Sequence, residues 1–177
     1  MNAASIQMKP SSLIFAMLFL SQMFASAGDG ERMKPYPAPR IDAINQDGNT
    51  AKLGDFYKNG LTLVFFYPKA GTSGCTAQVC SLRDAYDELT RHGVQVVGVS
   101  MDKAEAQKAF REKNKLPFTL LTDPDGKLVK AFGVGSLFGF ASRQAFLIKD
   151  GYIVWRDKNA STSKQAEDIL RVLKEKK

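Results

Sequence analysis

The apolar positions of the chain change period several times, and each change predicts an element. Ile41 to Ile44 and Thr50 to Leu53 flank Asp47-Gly48, the pattern of two short strands joined by a hairpin turn. Leu61-Thr-Leu-Val-Phe-Phe-Tyr67 is nearly all apolar, as expected of a central strand buried on both faces, and Pro68 interrupts it. From Thr76 the spacing becomes helical, through Val79, Leu82, Tyr86 and Leu89, with a glycine stop at His92-Gly93. A second buried strand spans Val94 to Ser100. Asp102 then reads as the N-cap of a helix through Ala106, Ala109 and Phe110. Phe118 to Leu121 predicts a short strand and Asp123-Pro-Asp-Gly126 a turn. Gln144 to Ile148 and Tyr152 to Arg156 form an expected antiparallel hairpin, and Ala166, Ile169, Leu170 and Leu173 mark a closing amphipathic helix. Parallel strand–helix units followed by a hairpin and a last helix imply an α/β sandwich, a central mixed sheet flanked by helices.

The first residues differ in kind. An apolar run from Leu13 to Leu20, extended through Met23 and Phe24, follows Lys9 and ends in Ala25-Ser26-Ala27. Such a run is short for a bilayer span, and the small residues suit a signal-peptidase site, so residues 1–27 read as an export signal cleaved after Ala27. Cleavage removes one charge, that of Lys9. An uncleaved anchor is the alternative. Residues 28–39, rich in Gly and Pro, read as an extended lead-in, and residues 40–177 as a single domain.

Composition narrows the function classes. With 177 residues, 44% of them hydrophobic, the chain is long enough for one sizeable core. Twenty-five Lys and Arg against 18 Asp and Glu give a formal charge of +7, but the basic residues are scattered. That reads as a solvated surface and not as a nucleic-acid footprint. Outside the cytoplasm the two cysteines, Cys75 and Cys80, are open to oxidation into a structural staple, so geometry has to separate staple from catalyst.

In Phe66-Tyr-Pro-Lys-Ala-Gly-Thr-Ser-Gly-Cys-Thr-Ala-Gln-Val-Cys80, Cys75 falls where a strand-end loop enters the first turn of a helix. Unpaired amides and the positive end of the helix dipole there favour a thiolate over a thiol. Five residues of regular helix would hold the Cα atoms of Cys75 and Cys80 about 8 to 9 Å apart. A disulfide requires about 7 Å or less, so bridging would unwind the first turn. That behaviour suits a redox switch better than a static staple or two unrelated buried thiols.

The same segment resembles the peroxiredoxin family, most closely its bacterioferritin-comigratory, or Q-type, branch, whose motif is Pro-x-x-x-Thr-x-x-Cys. Pro68, Thr72 and Cys75 match it, and Cys80 falls where many members of that branch carry a resolving cysteine. Ser81-Leu-Arg-Asp84, Val96-Val-Gly-Val-Ser100, Phe118-Thr-Leu-Leu-Thr-Asp123 and Arg143-Gln-Ala-Phe-Leu-Ile148 extend the resemblance over nearly all of residues 36–175. It implies a thioredoxin-like fold and a thiol peroxidase acting on hydrogen peroxide and organic hydroperoxides. Cys75 would be the peroxidatic nucleophile, forming a sulfenic acid that Cys80 resolves as a disulfide. Thr72 would hydrogen-bond peroxide and sulfur, Pro68 would shield the pocket, and Arg143 would hold the thiolate and peroxide oxygens. A thioredoxin-like donor would reduce the disulfide, with no metal or organic cofactor, in a monomeric enzyme; the export signal would place it in the periplasm, without stable membrane association. Ser73 departs from the branch, which commonly has proline there, and predicts a less rigid loop. Leu137, Phe138 and Phe140 are expected to give the pocket an apolar rim.

Two other classes compete. An exported thioredoxin-like thiol-disulfide oxidoreductase would usually carry Cys-x-x-Cys, whereas the spacing here is Cys-x-x-x-x-Cys. A metal carrier would need more soft ligands than two thiolates and His92, the single histidine, which reads as a helix-end residue.

Overall fold

The computed structural model describes residues 30–58 and 60–175. The expected export signal lies outside them. Eight strands form one mixed sheet: β1 (Glu31–Pro37), β2 (Asp42–Asn45), β3 (Thr50–Lys52), β4 (Leu61–Phe66), β5 (Val94–Ser100), β6 (Thr119–Thr122), β9 (Gln144–Lys149) and β10 (Tyr152–Asp157). Their spatial order is β1-β10-β9-β4-β5-β6-β2-β3, and β7 (Ser136–Leu137) and β8 (Phe140–Ala141) pair apart from it. The helices are α1 (Ser73–Asp84), α2 (Tyr86–Arg91), α3 (Ala104–Lys113), α4 (Lys127–Ala131) and α5 (Gln165–Lys174), with a 3₁₀ turn at Leu53–Tyr57.

β4 organises the sandwich. It runs parallel to β5 and antiparallel to β9, so its backbone is paired on both edges. Side chains alternate along a strand, and here both sets are apolar. Leu63, Phe65 and Tyr67 enter one core with Val79, Leu82, Leu89, Phe110 and Ile169, beneath α1, α2, α3 and α5. Val64 and Phe66 enter the other with Leu53, Tyr57, Leu128, Phe132 and Phe146, beneath the 3₁₀ turn and α4. The uninterrupted apolar run in the sequence is thus the signature of a strand covered on both faces.

The structure departs from the expected elements in four places. The helix expected to run through Leu89 is two helices, because Ala85 leaves helical geometry (φ −99°, ψ 9°) and ends α1. The second helix does stop where expected: His92 is its C-cap, and Gly93 takes a left-handed φ of 72° that suits glycine. Asp102 does not cap α3; Lys103 is the N-cap residue, without a side-chain bond, and the Asp102 carboxylate is used elsewhere. On α3 the buried residues are Gln107 and Phe110, while Ala106 and Ala109 face solvent. Finally, Glu31–Pro37, expected only as extended chain, pairs with β10 as an edge strand, a position that accepts Pro35 and Pro37.

Gly98 on β5 sits where two buried side chains close on the strand. A Cβ there would come within 2.7 Å of Leu120 Cδ2 and 2.8 Å of Phe65 Cζ. Gly98→Ala is expected to destabilise the protein by about 1–3 kcal/mol through overpacking, lowering the thermal midpoint by several degrees in a circular dichroism melt. An unchanged midpoint would mean that the core at this point yields without cost.

Candidate active site

β4 delivers the chain to the site. Tyr67 continues the pairing, its N–H donating to Val99 O at 3.1 Å, and Pro68 then starts a loop that ends at Thr72, the extended N-cap of α1. The first helical bond runs from Thr76 N–H to Thr72 O at 2.9 Å. Cys75 is the third residue of α1, so its own amide belongs to the unpaired first turn. Its side chain is 1% exposed.

Arg143 reaches this sulfur from the other side of the sheet junction. Gln144 is paired with Phe66, so the residue before it stands at the end of β4 where the loop begins. Arg143 Nη2 lies 3.4 Å from Cys75 Sγ, and its Nη1 donates a short bond to Gln78 Oε1. Gln78 is buried one turn below Cys75, and its Nε2 donates to Gln165 Oε1 of α5 at 2.9 Å. The guanidinium is therefore held as a fork, one arm on sulfur and one on an amide that the last helix fixes in turn. A half-buried cation this close stabilises negative charge on sulfur and on any oxygen leaving it.

A second network holds the loop. Asp102 Oδ2 accepts from Ala70 N–H at 2.7 Å and from Ser100 Oγ at 2.8 Å. Gln107 Nε2 donates to Ser100 Oγ at 2.7 Å and to Leu121 O at 3.0 Å, and the Tyr67 hydroxyl donates to Gln107 Oε1. Burial pushes the Tyr67 phenol far above its ordinary value, so it remains a neutral donor.

The other expected site residues sit around this core. Pro68 is half-buried at the start of the loop. Thr72 is exposed, and its hydroxyl donates to Lys69 O at 3.1 Å, leaving its oxygen able to accept. Ser73 is the first residue of α1, the helical position that best accepts proline, and serine leaves φ there unfixed. Cys80 is half-buried on the same helix, about 140° around the axis from Cys75. Its Sγ lies 3.9 Å from Asn114 Oδ1, and both thiols are free. The expected apolar rim reduces to Phe140, whose ring lies 5.6 Å from Lys69 Nζ; Leu137 and Phe138 stand in solvent. Sequence reasoning missed Gln78, Gln165, Ser100 and Gln107 because a lone polar residue in a helix or strand reads as solvated.

A model of the AhpC/TSA family matches residues 36–156. The chain belongs to the AhpC/TSA family. This peroxiredoxin is 42% identical over 146 residues to Peroxiredoxin Bcp of Escherichia coli (strain K12), covering 78% of this chain and 93% of that protein. It is 37% identical over 148 residues to the chloroplastic Peroxiredoxin Q of Oryza sativa subsp. japonica, covering 81% and 68%. The crystal structure of Peroxidoxin BcpB from Mycobacterium tuberculosis superimposes with a TM-score of 0.75 at 27% identity, over 83% of this chain and 99% of that one. The expected family and thioredoxin-like fold are both borne out, and the chain is a thiol peroxidase. The thiol-disulfide oxidoreductase and metal-carrier alternatives gain no support.

Asp102→Ala removes the acceptor for both the Ala70 amide and the Ser100 hydroxyl. The reaction of the protein with hydrogen peroxide is expected to slow about tenfold or more, because the loop before Cys75 loses its position. Stability should fall by about 1–3 kcal/mol, and Asp102→Asn, which keeps an acceptor, should recover most of the rate. Stopped-flow measurement of peroxide consumption decides it; an alanine variant as fast as wild type contradicts the role of this network.

Proposed function

We propose that Cys75 is the peroxidatic residue of this thiol peroxidase and Cys80 its resolving partner. The observation that carries the reading is the 3.4 Å contact between Arg143 Nη2 and the buried sulfur of Cys75 at the first turn of α1. The Cys75 thiolate attacks the terminal oxygen of a hydroperoxide, forming an S–O bond as the O–O bond breaks. Arg143 stabilises charge on the leaving oxygen, which takes a proton from solvent and departs as water or an alcohol. Thr72 offers its hydroxyl oxygen to the incoming peroxide O–H, and half-buried Pro68 screens the loop side of the pocket.

Cys75 is now a sulfenic acid. Regular helix keeps the two sulfurs apart, so the first turns of α1 unwind before Cys80 attacks the sulfenic sulfur, forming a disulfide and releasing water. A thioredoxin-like dithiol returns both thiols to the reduced state and is itself oxidised. No step calls for a metal or organic cofactor. Residues 1–27 are an export signal in this reading, and the mature enzyme works as a periplasmic monomer without stable membrane association. The apolar run before Ala25-Ser26-Ala27 supports that part.

Mixing the reduced protein with a slight excess of hydrogen peroxide, in wild type and in Cys75→Ser and Cys80→Ser, tests the cysteine roles. Wild type should lose two hydrogens by mass, Cys80→Ser should trap a sulfenic acid, and Cys75→Ser should be inert. A Cys75→Ser variant that still consumes peroxide at the wild-type rate sinks the assignment. For export, intact mass of protein recovered from the periplasm of a bacterial host should correspond to a chain starting at Gly28; a full-length mass there contradicts cleavage after Ala27.

A further inference from the structure

The β7–β8 hairpin is anchored in the second core by Ala141, and its tip stands clear of both cores. Its base is closed by Ser142 N–H donating to Gly135 O at 2.7 Å, and its two strands pair Ser136 with Ala141 and Leu137 with Phe140. At the tip, Leu137 is 68% and Phe138 88% exposed, more than any other large hydrophobic residue described. Phe138 also adopts a left-handed φ of 51°, unfavourable for a bulky side chain. An aromatic residue that is both strained and unburied contributes nothing to folding, so its use lies in what it meets.

The hairpin is tied to the redox centre at two points. Two residues beyond β8 the chain reaches Arg143, whose guanidinium contacts Cys75. Phe140, at 42% exposed, rests beside Lys69 Nζ on the loop that leads into α1. The apolar tip therefore flanks the segment where the Cys75–Cys80 disulfide would form.

We propose that the tip formed by Leu137 and Phe138 is the docking surface for the protein reductant, a thioredoxin-like dithiol protein; this rests on the peroxidase reading above. Area argues for that occupant over a second copy of the chain. Two side chains and their surroundings offer a few hundred Å² at most, on the order of a functional surface patch, whereas stable interfaces bury about 800 Å² per partner. Redox encounters fall at the small end of that scale, because the donor must leave after each turnover. Lys69 adds a positive charge beside the apolar tip, so the matching face is apolar around its reactive cysteine with an acidic edge. Once docked, a donor thiolate attacks one sulfur of the enzyme disulfide and forms a mixed disulfide, releasing the other enzyme sulfur as a thiolate. The second donor thiol then closes the donor's own disulfide and frees the remaining enzyme sulfur, so two electrons and two protons pass from donor to enzyme.

The test is the double variant Leu137→Ser/Phe138→Asn, asparagine being chosen because it tolerates a left-handed backbone. A bacterial thioredoxin, kept reduced by its reductase and NADPH, and dithiothreitol serve as alternative donors. The KM for thioredoxin should rise about tenfold or more, the effect of losing apolar burial worth roughly one decade in affinity. Single-turnover oxidation by hydrogen peroxide and turnover with dithiothreitol should stay unchanged. An unchanged KM for thioredoxin overturns the proposal, as does a wild-type enzyme that turns over with dithiothreitol but takes no electrons from thioredoxin. So does a wild-type dimer, seen by sedimentation, that the variant dissociates while its KM for thioredoxin holds. Failure of the wild type with dithiothreitol instead overturns the peroxidase reading beneath it.

Discussion

The five-residue separation of Cys75 and Cys80 on one regular helix is the constraint from which the rest of the structure takes its meaning. Both sulfurs ride on α1, roughly opposite each other around its axis, so the folded helix favours reaction of Cys75 with an outside molecule over reaction with its neighbour. In the proposed cycle the same helix must hold firm for the first step and give way for the second. The surroundings of α1 divide along those lines.

Contacts that hold α1 and the loop before it come from distant parts of the chain. Arg143 arrives from just before β9, Gln165 and the Ala166 amide from α5, the latter donating to Ser81 Oγ at 3.0 Å, and Asp102 from beyond β5. Each uses a polar group whose burial makes an unpaired alternative costly, so the arrangement is strongly specified. The bonds to Gln78 and Arg143 depend on the helical position of Cys75's own turn. In the proposed cycle, unwinding that turn breaks them together and so separates two states of the helix. Ser73 at the first helical position, where proline would fix φ, leaves the entrance to the helix freer to make that change.

Much of this was legible in the sequence. The apolar run at β4, the period change after Thr76, the Gly93 stop and the motif from Pro68 to Cys75 all rest on local rules, and local rules hold where a strand is covered on both faces or a helix has a clear apolar stripe. What failed was set by tertiary packing. The stripe through Val79, Leu82, Tyr86 and Leu89 continues across the break at Ala85, so nothing in the spacing announces two helices. Asp102 has the residue type and position of a cap, yet the loop brought beside it by β4 offers the Ala70 amide instead. Gln78 and Gln107 are polar residues with no exposure, and partners brought by the fold account for their burial: Arg143 and Gln165 for the first, Tyr67, Ser100 and Leu121 for the second.

Amide hydrogen exchange across α1, comparing the reduced protein with the same protein oxidised by one equivalent of hydrogen peroxide, shows whether the helix gives way when the disulfide forms. The amides from Thr76 to Cys80 should lose protection on oxidation while those of β4 and β5 keep theirs. A protein that forms the Cys75–Cys80 disulfide with the protection of α1 unchanged would contradict the proposed unwinding.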